Sequence, residues 1–111
     1  MKNLEIKLIN KFRKRYGLFF TNHSEPIGWA EISCGEKIFE IFEMEIYDLK
    51  MRRKGYGEGF LNLLIEKLAK PKGCQEILFR WSNEELFPAL KRRGFTAINQ
   101  TKGGVDFIRK I

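Results

Sequence analysis

Histidine is almost missing from this chain of 111 residues: His23 is the single one, beside two cysteines, Cys34 and Cys74. So few soft ligands give no metal-binding set at recognisable spacing, and no metal is expected. The cysteines stand far apart and outside any CxxC pattern, which argues for reduced structural thiols rather than a disulfide framework. Long apolar runs are missing too. None approaches the roughly 20 residues that span a bilayer, and Met1-Lys2-Asn3-Leu4-Glu5 does not open like a secretory signal. A cytoplasmic protein without a membrane partner is therefore expected. Repeats, linkers and low-complexity tracts are also missing, and a chain of this length buries one core but not two. A single domain over 1–111 is the expectation.

What is present is an ordinary globular composition with 43% hydrophobic and 32% charged residues, and a formal net charge of +7. The cations cluster at Lys11-Phe12-Arg13-Lys14-Arg15, from Lys50 to Lys54, and at Lys91-Arg92-Arg93. Such clusters attract polyanions. No recognised nucleic-acid module accompanies them, however, and the third closes a helix where cations suit the dipole. A nucleic-acid partner is accordingly disfavoured.

The second cluster runs into Gly55-Tyr56-Gly57-Glu58-Gly59, between a strand-like and a helix-like segment. Glycines at a helix entry let a ligand approach the main chain, where the first N–H groups have no internal partner and the dipole is positive. Arg52, Arg53 and Lys54 add charge suited to phosphate oxygens. A solvated basic turn is the competing reading. Two other phosphate motifs are excluded: Phe60 occupies the place of the third glycine of a dinucleotide fingerprint, and no P-loop ending in Gly-Lys-Ser/Thr occurs.

The remaining pattern, Arg-x-x-Gly-x-Gly at Arg52, Gly55 and Gly57, resembles the coenzyme A pyrophosphate signature of the GNAT superfamily of acyl-CoA-dependent N-acyltransferases. A second segment, from Asn83 to Gly94-Phe95, resembles that superfamily's other signature, an asparagine opening a helix that ends in Gly-Phe. There the family usually carries a tyrosine that protonates the departing thiolate, four residues before the glycine. This sequence has Leu90 instead.

Alternation of apolar and polar residues predicts strands over Leu4–Ile9, Tyr16–Thr21, Ile27–Ser33 and Ile38–Tyr47. In the fourth, Phe42, Met44 and Ile46 are expected on one face, with Ile41, Glu43, Glu45 and Tyr47 on the other. An amphipathic helix is predicted from Glu58 to Lys70, with Phe60, Leu61, Leu64, Ile65 and Leu68 buried and Pro71 ending it. A fifth strand follows over Glu76–Trp81, reached by a parallel crossover. A second helix is expected within Asn83–Arg93, bent or limited by Pro88. Phe95–Asn99 and Val105–Lys110 complete a closing hairpin.

This order fits an α/β (α+β) class, a GNAT-like mixed, mostly antiparallel twisted sheet of about seven strands with two main helices. The family's two early helices have no counterpart, because only Asn10 to Arg15 separates the first two strands. The resemblance thus implies an acceptor site left open, suited to an exposed or macromolecular amine. It further implies acetyl-CoA as co-substrate, with Ile46, Tyr47 and Asp48 along the pantetheine arm. Arg52, Arg53, Lys54, Gly55, Tyr56 and Gly57 would lie at the pyrophosphate, and Asn83 on the far side.

Attack by a primary amine requires a base to take its proton. Glu43 and Glu45 are the candidates, against the simpler reading that both face solvent. Tyr47, Tyr56 or water would replace the missing acid. The expected activity is N-acetyl transfer to a small amine or to a protein or peptide amine. The alternative is a weak or inactive coenzyme-binding regulatory protein, and a homodimer through edge strands is open.

Overall fold

The computed structural model describes residues 3–52, 55–82, 87–102 and 104–111. Seven strands form one sheet: β1 (Leu4–Asn10), β2 (Arg15–Phe20), β3 (Gly28–Cys34), β4 (Ile38–Ile46), β5 (Glu76–Ser82), β6 (Thr96–Thr101) and β7 (Gly104–Lys110). Their spatial order is β1-β2-β3-β4-β5-β7-β6, antiparallel throughout except for the parallel β4–β5 pair. Between β4 and β5 come the short α1 (Leu49–Arg52) and α2 (Tyr56–Leu64), and α3 (Phe87–Arg92) follows β5. The fold class and element order match the sequence-based expectation.

Directly opposed residues share a face of a sheet, and the register therefore sorts the side chains. Leu4, Phe20, Leu18, Ala30, Ile32, Ile41, Phe79 and Phe107 fall on one face. Both longer helices pack there. The Tyr56 ring meets Phe20 edge-on at 5.4 Å, and Phe87 meets Phe107 at 5.1 Å. The fully buried Phe39, Phe60, Leu64, Ile77 and Phe107 make the centre of the core. The opposite face carries Phe19, Trp29 and Leu78 among charged side chains. Lys7 lies 4.9 Å over the Phe19 ring and Arg15 lies 4.3 Å over Trp29, so long cationic stems shield the aromatic surface.

Two sequence expectations need correction. Glu43 pairs with Glu31, but Ile41 pairs with Ile32, which leaves Phe42 as an extra residue on β4. Such a bulge reverses the alternation. Ile41 therefore lies with Met44 and Ile46 on the helix face, not with Glu43 and Glu45. The second correction lies in the long helix, which starts at Tyr56 rather than Glu58 and passes after Leu64 into a π turn over Ile65–Ala69. The wider turn advances the buried stripe by one position. Ala69 is fully buried, while Leu68 is only partly covered.

Pro88 is the second described residue of α3. Residues 11–14 join β1 directly to β2 as a tight turn, so no helix intervenes there.

Candidate active site

The β4–β5 ladder runs only from Ile38↔Glu76 to Ile41↔Phe79, yet β4 continues to Ile46 and β5 to Ser82. Beyond the last pair the two strands are not paired with each other among the described residues. The bulge at Phe42 falls at the point where pairing stops, since it bends and twists the strand that carries it. On its other edge β4 stays zipped to β3 as far as Gly28↔Ile46, and the Tyr47 amide donates to the Ile27 carbonyl at 2.9 Å. Main-chain groups alternate in direction along a strand. The bond from Tyr47 therefore directs the peptide groups of Met44 and Ile46 toward the β5 side.

The glycine turn stands where the chain enters α2 after α1. Its three glycines serve three purposes. Gly55 is the N-cap residue of α2 and adopts the left-handed conformation, φ 83° and ψ 10°. Among the described residues, a Cβ on Gly57 would meet nothing within 4 Å, so this side of the helix entry is open to them. A Cβ on Gly59 would lie 2.9 Å from Leu4 Cδ1. Gly59 thus serves close packing of α2 on β1, which corrects the expectation that all three glycines admit a ligand.

Glu43 and Glu45 are exposed on the face away from the helices, opposite Glu31 and Trp29 respectively. The structure thereby joins four side chains that the sequence reading had not grouped: Trp29, Glu31, Glu43 and Glu45. The alternation of β3 carried the signal, because it sets Trp29 and Glu31 on one face and Ala30 and Ile32 on the other. Arg15 Nε holds Glu31 Oε1 at 3.0 Å. Further along this face Arg80 lies 3.8 Å from Glu40 and 4.0 Å from Asp106.

The expected coenzyme residues divide into those the structure gathers and those with other work. Ile46 is buried at the end of β4, and Tyr47 beside it is half exposed. Asp48 is a capping residue: its Oδ1 accepts the Lys50 amide at 2.8 Å and its carbonyl accepts that of Met51 at 3.0 Å, starting α1. Tyr56 is buried against Phe20, so its ring serves the core. Arg52 ends α1, while Arg53, Lys54 and Asn83 lie outside the described residues. Leu90 is buried on α3, and its carbonyl accepts the Phe95 amide at 3.0 Å.

The sequence reading missed a clasp between the two helices. Arg93, just after α3, reaches Glu58 in the first turn of α2 at 2.8 Å, donates to the Ala89 carbonyl at 3.1 Å, and accepts from Arg109 at its own carbonyl, also at 3.1 Å. At the distant end of the sheet, Cys34 and Cys74 are neighbours despite their separation in sequence. Burial pushes the Cys34 thiol above its ordinary pKa, against the opposing pull of Lys72 and Lys14.

No protein-family profile matches the chain, and no curated protein matches it by sequence. Solved structures do. The chain is similar to Ard1 from Thermoplasma volcanium, with a TM-score of 0.68 and 15% identity over 87% of this chain and 70% of that one. It is similar to the PaiA N-acetyltransferase from Thermoplasma acidophilum in complex with coenzyme A, at 0.71 and 23%, covering 87% of this chain and 60% of the other. It also resembles a GNAT family acetyltransferase from Elizabethkingia anophelis with acetyl-CoA bound, at 0.65 and 17%, covering 88% and 76%. The chain has the fold of the GNAT-superfamily N-acyltransferases.

Proposed function

We propose that the chain, as a single domain over 1–111, is an acyl-CoA-dependent N-acyltransferase that moves an acetyl group from acetyl-CoA to a primary amine by direct attack. The observation that carries this reading is the end of the β4–β5 ladder at Ile41 and Phe79, with β4 continuing unzipped from β5 toward the entry of α2. The end of β4 and the residues that follow it, Ile46, Tyr47 and Asp48, would lie along the amide-bearing arm of the coenzyme. The open side of Gly57 and the first N–H groups of α2 would receive the pyrophosphate, with Arg52, Arg53, Lys54 and Asn83 contributing from either side.

The neutral amine attacks the thioester carbonyl carbon, the C–S bond then breaks, and the thiolate leaves with a proton. Glu43 or Glu45, directly or through water, takes the proton lost by the attacking nitrogen. Tyr47 or water returns one to sulfur. The acceptor enters over the face that bears Trp29, Glu31, Glu43 and Glu45, which suits a basic amine of a peptide or small molecule.

A second reading is a coenzyme-binding protein of low activity. Leu90, buried at the position where the GNAT pattern usually has a tyrosine, favours it. Calorimetric titration with acetyl-CoA, followed by thiol release in the presence of polyamines, small amines and lysine peptides, separates the two. Binding with thiol release supports the transferase. Binding without release selects the second reading, and absence of binding rejects both.

A further inference from the structure

The β1–β2 turn is used by neither reading, yet it holds the most exposed large apolar side chain among the described residues. Phe12 is 97% exposed, against 52% or less for Tyr47, Leu8, Ile98 and Ile9. Nor is this a loose loop. The amides of Phe12 and Arg13 both donate to Asn10 Oδ1 at 3.1 Å, Lys14 takes a left-handed φ of 52°, and its carbonyl accepts the Ile32 amide at 3.1 Å. The turn is thus pinned at both ends with the ring held outward, so little ordering remains to oppose binding.

Its surroundings are basic and apolar together. Lys11, Arg13 and Lys14 flank the ring and are exposed, and the last apolar residues of β1, Leu8 and Ile9, are 50% and 44% exposed. Lys72, exposed in the loop before β5, lies at the same end of the sheet, since the Cys74 thiol two residues on donates to the Gly35 carbonyl at 3.5 Å. Lys37 lies at the same end, its carbonyl accepting the amides of Gln75 and Glu76. Glu36 and Glu76 are the carboxylates in these segments, so positive charge prevails.

Against the sequence-based expectation of no membrane partner, which rested only on the lack of a spanning segment, we propose that this end of the molecule docks on an anionic phospholipid surface, with the Phe12 ring entering the acyl boundary and Lys11, Arg13, Lys14 and Lys72 meeting the headgroups. An apolar wedge and a set of cations are the two signals that together give reversible attachment. Nucleic acid fits less well. The amide side chain in the turn, Asn10, already accepts two backbone donors with its oxygen, and beside the single Phe12 ring Leu8 and Ile9 offer aliphatic surface rather than further rings that stack. The unpaired stretch of β4 and β5 is at the other end of those strands, so an attached protein keeps it accessible.

Sedimentation with vesicles of phosphatidylcholine, alone or mixed with phosphatidylglycerol, tests this on the full chain. Binding is expected only to the mixed vesicles. Phe12→Ser should weaken it about tenfold, and each neutralised cation about fivefold. Both kinds of variant should keep the wild-type circular dichroism and melting temperature, because these side chains make no core contact. In a Phe12→Trp variant the added indole emission should shift to the blue on binding and be quenched by brominated acyl chains. Unchanged binding by Phe12→Ser overturns the proposal, as does failure to bind mixed vesicles. Tighter binding to an RNA or DNA oligonucleotide at the same salt, lost in Phe12→Ser, also overturns it and assigns the tip to nucleic acid.

Discussion

Glu58 and Arg93, 35 positions apart, close an ion pair of 2.8 Å that links the first turn of α2 to the residue after α3. Glu58 is half exposed, and an exposed pair contributes only about 0–1 kcal/mol. Glu58→Gln should therefore cost little stability. Arg93→Ala should cost more, about 1–3 kcal/mol, because the Ala89 carbonyl loses a charged donor and the buried part of the side chain is lost as well. Urea denaturation of the two variants checks the order; equal losses would show that Arg93 acts only through Glu58.

Gly57 and Gly59 should respond oppositely to substitution. A Cβ at position 57 meets no described residue within 4 Å, so Gly57→Glu is expected to fold with a near-native melting temperature and to lose acetyl-CoA binding through bulk and charge. At position 59 a Cβ presses on Leu4. Gly59→Val should destabilise by about 1–3 kcal/mol. Calorimetry and thermal melts on both variants decide the matter, and full coenzyme affinity in Gly57→Glu would sink the assigned site.

The proton-transfer roles are separable. Glu43→Gln and Glu45→Gln leave the buried core untouched, and the true base should lose about 10²–10⁴-fold in kcat while the other changes little. Tyr47→Phe is expected to lower kcat if its hydroxyl serves sulfur. Tyr56→Phe should not, since that ring is occupied with Phe20. Steady-state thiol release measures all four, and a loss in Tyr56→Phe alone would reverse the assignment.

Because burial raises the Cys34 pKa, its thiolate is scarcer at neutral pH than that of a free thiol. Alkylation by iodoacetamide should be slower than that of a cysteine peptide at the same pH, and its rate should still be climbing where the peptide has levelled off. Mass spectrometry of the Cys34 peptide over an alkaline pH series records this. Matching profiles would contradict the burial.

The order of the elements was legible from local pattern alone. The alternation in β1, β2 and β3, the helical spacing from Phe60 to Ile65, and the glycine turn between strand and helix all depend on near neighbours in the chain. The bulge at Phe42 was not, because an extra residue on β4 is defined only against β3, and it turned Ile41 away from Glu43. The π turn that buries Ala69 in place of Leu68 likewise belongs to the packing of α2 on the sheet.

The sequence by itself determined the strand and helix order, the glycine-rich entry to α2 and the identity of the groups available for chemistry, since each rests on spacing and side-chain type. Tertiary structure alone decided where β4 parts from β5, which face Glu43 and Glu45 occupy, how Arg93 reaches Glu58, and that Gly59 packs against Leu4 while Gly57 stays open. Those facts depend on register and contact between segments far apart in the chain, which no local pattern encodes.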